Sequence, residues 1–139
     1  MFKFFSKILV GVIFFLSFTV DCGGVLKGDG KHYFYLYDES SLAKTITLDE
    51  NSAKYFFYIK GFLKGESVIF NSKERANALI SDYSATLVLC ESGSDFYCEY
   101  FYTPKINNFV YIDSKKVNLH FSYLKDSVKV GTPLIFDSF

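Results

Sequence analysis

Tryptophan is absent from this chain of 139 residues, proline occurs only 2 times, and Arg75 is the sole arginine. Acidic and basic residues number 15 each, so the formal charge is zero. Without a positive surplus there is no electrostatic basis for holding nucleic acid or an anionic membrane surface. Enzyme signatures are missing too. The chain has no Gly-x-Ser-x-Gly elbow, no Gly-rich phosphate loop and no His-Glu-x-x-His. Only 3 cysteines and 2 histidines occur, never at metal-ligand spacing, so neither a metal nor a cofactor is expected. No Asn-x-Ser/Thr sequon marks a glycosylation site.

What is abundant is apolar and aromatic. Half of the residues are hydrophobic, with 17 Phe and 11 Tyr. Such a chain has the apolar surface to offset its ordering entropy, which excludes a disordered polypeptide. Phe, Tyr, Ile and Val favour strands over helices. One domain suits this length.

The N-terminus has its own logic. Lys3 and Lys7 give a short basic start, and Ile8 to Phe18 is an uncharged apolar run ended by Asp21. That run is shorter than the roughly 17–25 residues that cross a bilayer. Basic, apolar, then small is the order of an export signal, so residues 1–22 read as a signal peptide and the mature chain as extracytoplasmic, secreted or held at the cell envelope. Loss of Lys3, Lys7 and Asp21 leaves 13 basic and 14 acidic residues, a net charge of −1. Two readings of the cleavage stay open. Cys22 stands where a lipoprotein carries its lipid, which would be the sole membrane attachment, although Thr19-Val20-Asp21 matches a lipobox poorly. Ordinary cleavage after Thr19, Cys22 or Gly24 is the other reading.

In an oxidising compartment a cysteine pair is expected to bridge. Cys90 and Cys98 flank a Ser92-Gly-Ser-Asp95 turn between two strand-like runs, so a hairpin disulfide is expected, with Leu87 facing Phe101 and Val88 facing Tyr100. Cys22 is then left over.

Residues 23–31 are a Gly-rich entry segment, and residues 32–139 read as a single β domain. Strand-like runs cover His32–Asp38, Lys44–Leu48, Ala53–Lys60, Ser67–Phe70, Thr86–Glu91, Phe96–Tyr102, Asn108–Asp113, Lys116–Tyr123 and Ser127–Phe136. Turns are expected at Lys64-Gly65-Glu66, Ser92-Gly93, Asp113-Ser114-Lys115 and Lys125-Asp126. Asn71 followed by Glu74, with Ala76, Leu79 and Ile80 on one face, predicts a short helix over residues 72–80. The pattern predicts an all-β antiparallel sandwich or small barrel of about 8–9 strands.

No catalytic residue is assigned from the sequence. His120 alternates with Leu119 and Phe121 and is expected on a solvated strand face beside Asn118 and Ser122. His32 lies in another strand. Asp29, between Gly28 and Gly30, reads as a turn former. Tyr33, Tyr35 and Tyr37 carry the most suggestive pattern, lining one face of the first strand with Phe34 and Leu36 on the other. Tyrosine joins a large apolar ring to a polar tip, which suits a binding surface for a protein or glycan. The function expected is a non-catalytic binding or structural role outside the cytoplasm. Two alternatives come with it: a small hydrolase built around His32 or His120 from separated strands, and a secreted inhibitor or effector presenting the Ser92–Asp95 loop.

Overall fold

A computed structural model describes Leu26, residues 30–49 and residues 63–137. The signal segment, Cys22, Asp29 and the run Ala53–Lys60 lie outside the described residues. The chain is all-β and antiparallel with one helix among them, as the strand pattern predicts. Strands β1 (His32–Leu36), β2 (Lys44–Leu48) and β3 (Leu63–Phe70) precede helix α1 (Lys73–Asp82). Then follow β4 (Thr86–Ser92), β5 (Tyr97–Tyr102), β6 (Val110–Ile112), β7 (Lys115–Val117), β8 (Leu119–Tyr123) and β9 (Val128–Thr132). Seven strands make one sheet in the order β2-β1-β3-β9-β8-β5-β4, and β6 pairs with β7 as a separate ribbon. The large sheet is open. Among the described residues its edges β2 and β4 do not meet, and no barrel closes.

Residues directly opposite across a ladder share a face, so the registers sort the side chains. His32, Val68, Val130, Phe121, Glu99 and Cys90 follow one another across one face. Tyr33, Ser67, Gly131, His120, Tyr100 and Leu89 follow one another across the other. Helix α1 covers the first face. Its Ala76 and Leu79 join Val68, Phe70, Phe101, Leu119, Phe121, Val128 and Val130 in the main core. The ribbon covers part of the second face, where Val117 packs with Cys98 and Tyr100. Asn118 anchors that corner. Its amide nitrogen donates to the carbonyls of Thr103 and Ile106, and its Oδ1 accepts from Thr103 N–H.

Local chemistry explains α1. Ser72 takes the cap one residue later than the Asn71 start predicts; its hydroxyl accepts from Arg75 N–H and donates to Glu74. That hydroxyl, with Glu74's own backbone N–H, holds the Glu74 carboxyl below its usual range. Ser72→Ala should lower stability by about 1 kcal/mol, read by urea unfolding, while Asn71→Ala should do little. Equal losses from the two would assign the cap wrongly.

The turn expected at Lys64-Gly65-Glu66 is strand β3 in the structure. The glycine there answers to a close approach from above. A Cβ on Gly65 would meet Thr132 O at 2.8 Å and the Phe136 ring at 3.0 Å, and one on Gly131 would meet Ile135 Cγ1 at 2.6 Å. Both glycines lie bare beneath the segment Pro133–Asp137, which crosses the second face as a strap.

Candidate functional site

The strap organises the polar chemistry of this chain. Tyr35 lies fully buried, its ring edge-on to Phe136 at 5.3 Å. Its hydroxyl donates to Asp137 Oδ1 at 2.5 Å and shares a hydrogen bond with Ser67 Oγ at 2.7 Å. Lys129 Nζ reaches the same Asp137 oxygen at 2.6 Å and sits 4.5 Å above the Tyr33 ring. The Lys129 side chain is only 6% exposed, so the carboxylate and the aromatic face take the place of water around its charge. Burial, reinforced by the neighbouring carboxylate, pushes the Tyr35 phenol well above its ordinary range, so it stays a donor. One ammonium and one phenol therefore converge on a single carboxylate oxygen, with Ser67 bonded to the phenol.

Farther along the strap, Ile135 N–H donates to His120 Nδ1 at 3.2 Å. The His120 ring stacks on Tyr100 at 4.3 Å, and Tyr100 donates its hydroxyl to Glu91. Burial lowers the His120 pKa to about 4, so the imidazole is neutral and able to accept.

These positions correct several expectations. His120 is buried, as are Asn118 and Ser122, because β8 is an interior strand covered on both faces. Its alternation of apolar and polar side chains marks two buried environments, one apolar and one hydrogen-bonded. His32 stacks on Phe34 on the helix face, so the two histidines lie on opposite sides of the sheet. Tyr33, Tyr35 and Tyr37 do not form one surface. Tyr33 is half-buried beside Lys129 and Tyr35 is sealed by the strap. Tyr37 lies past the end of β1 at a positive φ of 69° and is 61% exposed.

The Cys90–Cys98 hairpin forms, but the expected bridge does not. A bulge between Leu87 and Leu89 inserts Val88, so Leu89 faces Tyr100, Cys90 faces Glu99 and Glu91 faces Cys98. One residue of offset puts the sulfurs on opposite faces. Cys90 is an exposed thiol and Cys98 a buried one, its pKa raised by desolvation. On the Cys90 side, Glu99 accepts from both Tyr97 and Tyr123, and the hydrogen bond to Glu99 pushes Tyr97 up to about 12.

Two further features escaped the sequence. A groove of about 320 Å³ runs beside Lys64, Glu66, Lys105, Asn108 and Thr132. Glu66 is buried there and accepts from Leu26 N–H. The second is the ribbon's outer surface. A two-residue turn at Asp113 and Ser114, both at positive φ, joins β6 to β7. Val110 faces Val117, so the alternate residues Tyr111 and Lys116 point outward. Phe109 stands edge-on to Tyr111 at 5.6 Å with Lys116 Nζ 4.5 Å over its ring. Tyr111 is 64% exposed. The alternation Phe109-Val110-Tyr111 is local, but which side of it faces out is set by Val117 packing on Cys98 and Tyr100.

Among the described residues no three His, Cys, Asp or Glu side chains group to hold a metal ion, and no helix is long and apolar enough to cross a membrane. No protein-family model, no curated protein and no solved structure matches this chain.

Proposed function

We propose that this chain is an exported, non-catalytic binding domain that meets a partner protein outside the cytoplasm through the outer face of its β6–β7 ribbon. The basic, apolar and small order of residues 1–22 supports the address, and Cys22 remains the candidate point for a lipid anchor. The observation that carries the binding role is the Phe109–Tyr111 pair, fixed edge to face and backed by Lys116. Rigid aromatic rings supply large contact area at low entropic cost, and tyrosine is among the residues enriched at interface hot spots. His120, the best-placed residue for a hydrolase, spends Nδ1 on the strap, so no specific observation favours a catalytic reading.

The test is saturable binding of the labelled mature protein to the surface of its host's cells. Phe109→Ala/Tyr111→Ala should weaken it by at least about tenfold while leaving the fold intact, since both rings point away from the core. Protease treatment of the cells should abolish it. Undiminished binding by the double variant would remove the ribbon from the site. Survival of protease with loss on periodate oxidation would transfer the role to a glycan.

A further inference from the structure

We propose that Lys129, Tyr35 and Ser67 form a carboxylate-binding site for an extended aromatic–acidic peptide segment of a partner protein, and that the Pro133–Asp137 strap occupies this site in cis. Burying the Lys129 ammonium is costly. A buried ion pair recovers its desolvation penalty only with good geometry and further hydrogen bonds, and well-packed apolar side chains often stabilise a fold as much. Lys129 nevertheless lies within the sheet, its ammonium poised between the Tyr33 ring and a single carboxylate oxygen. The phenol of Tyr35 reaches that same oxygen, and Ser67 Oγ holds the phenol from behind. Donors converging on one anionic oxygen in a desolvated setting are the make-up of a receptor for a carboxylate.

The ground beside it is shaped for a main chain. Gly65 and Gly131 leave no side chain where the strap backbone passes, so the sheet there is a shallow bed for an extended segment. His120 Nδ1 offers a main-chain N–H acceptor two residues before the carboxylate, and Tyr35 offers its ring to the aromatic residue just before it. The sequence read by this bed is an N–H, an aromatic ring, then a carboxylate. Ile135, Phe136 and Asp137 supply it from within the chain. A tethered ligand acts at an effective concentration in the millimolar range, so a partner segment of the same chemistry must compete with the strap. This site and the ribbon face involve different residues, and failure of either leaves the other standing.

The probe is the fluorescent peptide acetyl-Pro-Leu-Ile-Phe-Asp-amide, followed by anisotropy against the full mature chain. Phe136→Ala/Asp137→Ala removes the cis ring and carboxylate together. It should bind the peptide at least about tenfold more tightly than wild type does. Adding Lys129→Met to that variant, or replacing the peptide's Asp by Asn, should abolish binding. No saturable binding to the folded double variant overturns the proposal, as does equal binding of the Asp and Asn peptides. If the double variant does not fold, the competition is read on wild type by amide exchange at Ile135 in millimolar peptide. Faster exchange there, with β8 amides still protected, supports displacement of the strap, and unchanged exchange overturns it. Cross-linking of wild-type chains through their own straps, with no peptide displacement, would likewise overturn it in favour of exchange between copies.

Discussion

Asp137→Ala should cost about 3 kcal/mol of folding stability, the low end of what removing one partner of a buried ion pair costs. The penalty falls on Lys129, left at 6% exposure with an uncompensated charge, and on the Tyr35 hydroxyl, which loses its acceptor. It stays at the low end because Asp137 is 23% exposed and the strap can lift to let water reach the ammonium. Lys129→Met should cost less, since the orphaned carboxylate can turn outward. The double substitution Lys129→Met/Asp137→Leu should return to within about 1 kcal/mol of wild type, because no buried charge is then left unpaired. Urea unfolding of the four proteins gives the coupling energy directly. A coupling near zero would mean that the pair is solvated in solution and that the strap is held by Phe136 and the Ile135–His120 hydrogen bond.

The second large effect is a dependence on pH. His120 titrates near 6.5 when unfolded and near 4 in the folded chain, where burial resists the imidazolium. As pH falls, the unfolded state takes up the proton first. Stability from this residue is therefore complete above about pH 6.5, declines between 6.5 and 4, and levels off below, a loss of about 3 kcal/mol in all. His120→Asn offers an amide oxygen to Ile135 N–H near the position of Nδ1 and cannot titrate. Its stability between pH 7 and 4 should fall less than wild type's by that amount, with other groups contributing equally to both curves. Parallel curves would show that His120 is hydrated in the folded protein. The strap should also be the first segment to open in acid, since protonation of Nδ1 removes the acceptor for Ile135. Hydrogen exchange at that amide is the local readout.

Much of the secondary structure is written in stretches of ten residues or fewer. β2 coincides with the Lys44–Leu48 alternation, β4 and β5 lie within one residue of their expected bounds, and α1 falls on the Ala76/Leu79 spacing. These elements were legible because side-chain periodicity and capping act between near neighbours, whatever the rest of the chain does. The ribbon illustrates the limit. Asn108–Asp113 and the following turn were readable, but Phe109 and Tyr111 face outward only because Val117 finds Cys98 and Tyr100 beneath it.

Composition and periodicity, which are local properties, thus specify a β-rich chain with an apolar, aromatic core and a short helix over residues 72–80. Tertiary structure alone decided the chemistry. Whether His120 meets water or Ile135 depends on a strap that joins the sheet from outside β8. Whether Cys90 meets Cys98 turns on Val88, a single inserted residue that moves every later side chain of the ladder to a new partner. The site itself joins Tyr35 to Asp137 across 102 positions of sequence, and its bed exists only where Gly65 and Gly131 fall on the adjacent strands β3 and β9 beneath the strap. Contacts at such separation leave no local period, because the side chains that make them are chosen by the fold that brings them together.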